Sequence, residues 1–340
     1  HALYDFASKY SSKSRNLLAW PGIKLKARLF HPILNAHEVM REKSTRVEYF
    51  QKLKKVDVGS VGRYVSFAVN SRGDIILLHL HKITVIYSTG ENKDVVLPIT
   101  TETYVLEHKR SSVAVDSDDN VYAIRQCGVR DEDWDIKYDF VLYAFDKNYN
   151  IKNVCVLDFL HAGVRPYVKI AVDKNQNLIL LTDWNDQVYV CDNTGKLKFQ
   201  FQRDGQWPQC LSISNNNDIM IVSDDNNDIH TYSTDGDLKS TMKIPDGHKA
   251  YQVTFHDGIC KIIVLTYVKK EDSYFLLSYS ETGDLENLMI FCKKDPGVNW
   301  WEIEMKSHPS GPVAVWYNKS ITFFKNINIL NPVFAWNKTV

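Results

Sequence analysis

The sequence carries few marks of an enzyme, a membrane protein or a disulfide-stapled domain. It has no run of roughly 18 apolar residues, so no membrane-spanning helix is expected and a membrane is not an expected partner. Its 41 basic side chains balance 41 acidic ones, for a formal net charge of +0. The overall field therefore favours neither a nucleic acid nor a membrane surface, and DNA is not an expected partner, although a local patch can still bind by its arrangement. No GxSxG, HExxH, P-loop or dinucleotide fingerprint occurs, so no catalytic residue, cofactor or metal is assigned. The six cysteines form no CxxC pair and match no zinc or disulfide framework. They read as buried free thiols of a reduced compartment, which makes the cytoplasm the expected location. No secretory leader is visible, and the first residue is His1 rather than Met, which leaves a longer parent protein open. Two glycosylation-type triplets, at Asn318 and Asn337, are too short to weigh.

What is present is a repeat. Hydrophobic residues make up 44% of the chain, charged ones 24% and aromatic ones 12%, as in a folded soluble protein. Convincing amphipathic helix is nearly absent after residue 50. Short β-like runs separated by Gly, Asn and Asp clusters take its place, which reads as all-β. Val113-Ala114-Val115-Asp116 precedes a polar turn and Val121-Tyr122-Ala123-Ile124; Ile170-Ala171-Val172-Asp173 precedes another and Leu178-Ile179-Leu180-Leu181. Further copies begin at Phe67, Leu211, Val253 and Ile303. Their fourth positions fall at 70, 116, 173, 214, 256 and 306, spaced by 46, 57, 41, 42 and 50 residues. That period, with several strands per unit, predicts a six-bladed β-propeller with four-stranded blades. The first strand of each unit is expected to be the most apolar and to line the centre, and the fourth to alternate at the rim. The last unit lacks an obvious fourth strand. Val47–Lys54 reads as a rim strand that completes it and closes the ring, with Phe334-Ala335-Trp336 as the competing candidate.

The stretch "QVYVCDNTGKLKFQF" at 187–201, preceded by "VKIAVDKNQNLILLTDWND", resembles an NHL repeat. The resemblance covers roughly residues 47–326 and extends to the C-terminal propellers of tripartite-motif (TRIM) proteins. It implies a recognition domain, such as the substrate-receptor end of a TRIM-like ubiquitin ligase, with any ligase chemistry outside this chain. The expected organisation is an arm or linker at 1–45, with helical character at 36–46, a propeller at 46–326 and a tail at 327–340.

Propeller geometry places the segments leading into the innermost strands around the channel mouth. Those segments carry Arg63, Tyr64, Arg110, Arg165, Tyr167, Trp207, Lys249, Tyr251 and Trp300, so every blade offers a basic or aromatic group. A protein or peptide is the expected ligand of this face. Single-stranded RNA is the alternative, because cations neutralise phosphates and rings stack on bases, and some NHL propellers of the TRIM-like group bind RNA here. Pro and Trp that merely cap the blade starts are the plain structural reading. A metal-dependent propeller lyase or hydrolase is the second alternative. His79 and His81, two residues apart, could share a strand face as a metal pair, and His108 and His248 precede their strands by equal distances. The acidic stretches Asp116–Asn120 and Asp224–Asp228 resemble calcium loops without their full spacing, and read more simply as tight turns. Residues 127–139 are an acidic insertion with Trp134 and Tyr138, read as a variable surface loop or a contact element.

Overall fold

A computed structural model describes residues 46–58, 66–98, 111–130, 136–160, 168–182, 186–203, 208–223, 227–256, 259–298, 303–307 and 313–330. The chain divides into two compact units, one of residues 49–327 and one of residues 1–48 with 328–340. The larger is a six-bladed propeller of four-stranded antiparallel sheets, with no α-helix among the described residues. Blade 1 holds β2 (Ser66–Val69), β3 (Ile75–Leu78), β4 (Lys82–Ile86) and β5 (Asn92–Val96). Blade 2 holds β6 (Ser112–Val115), β7 (Val121–Arg130), β8 (Ile136–Phe145) and β9 (Ile151–Val156). Blade 3 holds β10 (Val168–Val172), β11 (Leu178–Thr182), β12 (Gln187–Cys191) and β13 (Leu197–Gln202). Blade 4 holds β14 (Pro208–Ile213), β15 (Ile219–Ser223), β16 (Asp228–Tyr232) and β17 (Leu238–Lys243). Blade 5 holds β18 (His248–His256), β19 (Lys261–Val268), β20 (Ser273–Ser280) and β21 (Leu285–Lys293). Blade 6 holds β22 (Glu304–Ser307), β23 (Val313–Tyr317), β24 (Ser320–Leu330) and, as its outermost strand, β1 (Arg46–Asp57).

The rim strand expected near residue 47 thus closes the ring, and the N–H of Val58 donates to the carbonyl of Lys319 just beyond it. The competing segment at 334–336 and the helical stretch at 36–45 lie outside the described residues. Closure leaves no sheet of the ring without a neighbour, which protects the edges.

Each seam between blades has its own apolar cluster. Strand residues alternate faces, so one set packs on the preceding blade and the other on the following one. Ala68, Ile76 and Leu78 of blade 1 meet Val113, Val121 and Ala123 of blade 2. The same pairing recurs around the ring, ending where Ala314 and Ile321 of blade 6 meet Phe67, Val69 and Leu77 of blade 1. Full burial of one such side chain contributes roughly 1.5–3 kcal/mol, so the seams rather than any central core hold the ring.

Two expectations are corrected. The inner strands line the channel as expected, but they are not everywhere the most apolar or buried: in blades 3 and 4 the second strands, Leu178–Thr182 and Ile219–Ser223, are buried throughout and β10 and β14 only partly so, whereas in blade 1 β2 and β3 are both buried throughout. An inner strand has one edge on the channel, while a second strand is flanked on both sides. The sixth unit is also out by two residues: Met305, not Ile303, matches Phe67 and Val113, because Ser307 pairs with Val313 as Val69 pairs with Ile75.

Candidate functional site

One face of the ring carries the hairpin turns that follow first and third strands. Here, in blades 1 to 4, the fourth residue of the repeat folds the turn. Asp116 Oδ1 accepts from the N–H groups of Asp118 (2.9 Å) and Asn120 (2.8 Å), and its Oδ2 accepts from Asn120 Nδ2 and the Tyr122 hydroxyl. Asp173 and Ser214 close their turns in the same way. These are side-chain-capped turns, and the calcium-like stretch at Asp116–Asn120 is one of them. Neighbouring turns are also tied together. Ser71 donates its N–H and hydroxyl to Asp119 of the next blade, at 2.7 and 2.6 Å, and Lys174 donates its N–H to Asn217 of the next blade at 2.9 Å.

The opposite side, where the chain approaches each inner strand, is the approach face. Seven of its nine sequence-predicted residues, Arg63, Tyr64, Arg110, Arg165, Tyr167, Trp207 and Trp300, lie outside the described residues, as do His108 and Trp134. Lys249 and Tyr251 are described, and the structure brings them together. The register between β18 and β19 shifts between Ala250 and Gln252, which leaves Tyr251 as the extra residue of a bulge. Bulges re-aim side chains in this way. The exposed Lys249 ammonium stands 5.7 Å from the centre of the Tyr251 ring, which is itself 8% exposed.

Sequence reasoning missed the rest of this patch. Lys249 pairs with Tyr267 across β18 and β19, Tyr267 with Tyr274 across β19 and β20, and Tyr274 with Cys292 across β20 and β21. The four form one row along the approach edge of blade 5. The Tyr267 and Tyr274 rings are 5.2 Å apart, Tyr251 lies 6.4 and 6.3 Å from them, and Tyr317 of blade 6 meets Tyr274 edge-on at 5.6 Å. Lys294 Nζ sits 5.4 Å above the Tyr267 ring. Tyr267 donates to Asp272 Oδ1 at 2.7 Å, and that bond, followed by burial and the carboxylate charge, pushes its phenol up to about 12. An alternating aromatic and basic edge was the available signal, but only pairing register shows that these residues share a row.

His248 begins the same strand. Its Nδ1 lies 2.8 Å from the Thr266 hydroxyl, and burial holds its imidazole below the usual histidine range. The His79–His81 pairing that the sequence allows does not form. Both lie past the end of β3 in an irregular connection, His79 buried and His81 exposed, so they share no strand face. Among the described residues no three His, Cys, Asp or Glu side chains converge as metal ligands. The insertion in blade 2 lengthens a hairpin: β7 and β8 stay paired from Val121–Phe145 to Arg130–Ile136.

Between the faces runs the central channel, a cavity of about 210 Å³ walled by the inner strands of all six blades. At the first inner-strand level, polar side chains link neighbouring blades. The N–H of Phe67 donates to Glu304 Oε2 at 3.2 Å, that of Val113 to Ser66 Oγ at 3.4 Å, that of Ile170 to Ser112 Oγ at 3.4 Å, and that of Val253 to Cys210 Sγ at 3.5 Å.

No family model matches the chain, and no curated protein matches it. Solved structures do. Selenomethionine-substituted virginiamycin B lyase from Staphylococcus aureus aligns with a TM-score of 0.51 at 12% identity, over 83% of this chain and 100% of that one. A chain of the mitotic checkpoint complex aligns with a TM-score of 0.50 at 11% identity, over 81% of this chain and 91% of that one. At such identities the likeness defines the class, a β-propeller, and no particular protein within it.

Proposed function

We propose that this chain is a recognition module that binds a protein or peptide ligand through its approach face, with blades of the NHL type. The observation that supports this most is the partly exposed Tyr267 of blade 5, which has Lys249 and Lys294 beside it and the buried rings of Tyr251 and Tyr274 behind it. A rigidly backed tyrosine offers contact area at small entropic cost, and the two ammonium groups add charge that an acidic or aromatic partner meets. Lys249, Lys269, Lys270 and Lys293 are exposed around the row, while Asp272 and Asp295 are tied to Tyr267 and Asn318. In this reading the chain is the substrate-receptor part of a TRIM-like ligase in the cytoplasm. The similarity to a lyase stops at the fold, and no chemistry is carried over from it.

Single-stranded RNA is the second reading, favoured by the same juxtaposition of cations and rings. Capture of partners by the tagged chain, with and without nuclease and across a salt series, separates the two. A protein ligand survives nuclease and weakens gently with salt. An RNA ligand is lost with nuclease and weakens steeply with salt.

A further inference from the structure

We infer that this chain pairs with a second copy of itself through the open edge of β21, the outermost strand of blade 5. Closing the ring still leaves each blade one edge, along its outermost strand, with no neighbouring strand among the described residues. Such edges invite pairing, and charged side chains guard against it. Five of the six edges are guarded in this way by an exposed lysine within the strand: Lys93 on β5, Lys152 on β9, Lys198 on β13, Lys239 on β17 and Lys54 on β1. The nine-residue β21 differs. From Asn287 to Cys292 it carries no charged side chain, and Ile290 in that stretch is 42% exposed.

The strand is also symmetrical about its middle. Against β20 it pairs regularly from Asn287 to Ile290, opposite Ser278 to Phe275, and one extra residue bulges on either side, Glu286 and Phe291. The two bulges lie equally far from the midpoint between Leu288 and Met289. Bulges normally spoil an edge, because they bend it out of match with a straight strand. A second β21, laid antiparallel about a two-fold axis through that midpoint, brings each bulge opposite its counterpart. Asn287 then faces Ile290, Leu288 faces Met289 and Leu285 faces Cys292. One residue further out, Asp284 of each copy faces Lys293 of the other. Both are exposed, and among the described residues neither has an ion-pair partner. The carboxylate within the strand, that of Glu286, is already paired with Lys261 of β19. A two-fold interface uses one patch twice, so opposite charges at the two ends of the edge make two ion pairs. Main-chain hydrogen bonds then join two four-stranded blades into one continuous sheet. Because β21 runs from the turn face to the approach face, the antiparallel pair points the two approach faces in opposite directions.

Sedimentation velocity of the full chain over a concentration series tests this, and a concentration-dependent equilibrium between monomer and dimer is expected. Ile290→Lys puts a cation into the uncharged stretch at a solvent-exposed position, and should weaken the dimer about tenfold or more. Val96→Lys, at the 72% exposed position on the edge of blade 1, should dimerise like the unaltered chain. Lys293→Glu and Asp284→Lys each set like charges opposite one another and should weaken the dimer. The double variant, which exchanges the two signs, should restore it, and damage to the fold by either substitution would not be rescued in that way. A chain that stays monomeric throughout the series, a dimer that Ile290→Lys leaves unchanged, or a double variant no tighter than its single parents overturns the inference.

Discussion

The phenol of Tyr149 donates a hydrogen bond to the Asp74 carboxylate at 2.8 Å, across the seam between blades 1 and 2. Tyr149 sits in a hairpin turn of blade 2 with a positive φ of 67°, and its side chain is 2% exposed. Its oxygen also accepts from Asn70 Nδ2 at 2.9 Å and from Arg72 Nη2 at 3.0 Å. One hydroxyl therefore completes the first turn of the neighbouring blade.

Removing that hydroxyl takes one bond from each of three partners, and each keeps another. Tyr149→Phe should cost about 0.5–1.5 kcal/mol, the net range for a lost hydrogen bond. Arg72→Ala should cost less, because that side chain is 39% exposed and its ion pair with Asp74 is partly screened. Urea unfolding of both variants checks the order. A Tyr149→Phe midpoint equal to that of the unaltered protein contradicts it.

Acid should destabilise the fold in two stages. Burial lowers the His248 imidazole. Below about pH 6.5 the unfolded chain takes up a proton that the native site refuses, so stability falls as pH drops through that region. For Asp74, burial alone would raise the carboxyl, but hydrogen bonds from Asn70, Ser88, Tyr149 and Arg72 prevail and hold it low. Asp146 is held low by Asn150, and Asp192, against its own burial, by Thr194 and Lys196. Their stabilisation is present above the unfolded carboxylate value of about 4 and is lost as pH falls through their folded values. Urea midpoints from pH 7.5 downward should show both stages, and His248→Asn should flatten only the upper one. An unchanged upper slope in that variant refutes the assignment.

Two turn glycines separate backbone strain from crowding. Gly236 and Gly90 have φ values of 95° and 97°. A Cβ on Gly236 would lie 2.5 Å from Cγ of Phe201 in the preceding blade, whereas one on Gly90 meets nothing within 4 Å. Gly90→Ala should cost only the left-handed penalty of roughly 1–2 kcal/mol. Gly236→Ala should cost about 1–3 kcal/mol more from overpacking. Equal thermal midpoints for the two variants would rule out a rigid seam at Phe201.

The thiols should react in order of access. Cys260 is exposed, while Cys127, Cys191 and Cys210 are buried, and burial pushes the Cys191 thiol up to about 12. A thiol reagent at neutral pH should modify Cys260 first and reach the three buried groups only with unfolding. Cys260→Ser should abolish the fast phase, leaving the slower reaction of the half-buried Cys155 and Cys292. Modification of Cys127, Cys191 or Cys210 in the fast phase shows a seam open to solvent.

The repeat is legible because the inner strands of blades 1 to 4 lead into a residue that folds its own turn, so Asn70, Asp116, Asp173 and Ser214 mark the period. The sixth unit slipped because Ile303 and Met305 are both apolar and buried. A two-residue shift keeps every side chain on the same face, so hydrophobic alternation cannot detect it. The buried Glu304 was unreadable for a related reason: Ser66, which satisfies it, is 238 residues away. Of the recognition face, the sequence indicated Lys249 and Tyr251 from their place before an inner strand. Tyr267, Tyr274 and Lys294 join them only through strand pairing and a bulge that no local pattern announces.

The most direct measurement compares ligand capture by two double variants after nuclease treatment. Lys249→Glu/Lys294→Glu reverses charge on the approach face, and Lys174→Glu/Lys196→Glu does so on the turn face. The predicted result is that the approach-face variant loses partners which the unaltered chain and the turn-face variant both retain. Retention by the approach-face variant, with loss in the turn-face variant, would contradict recognition through the tyrosine row.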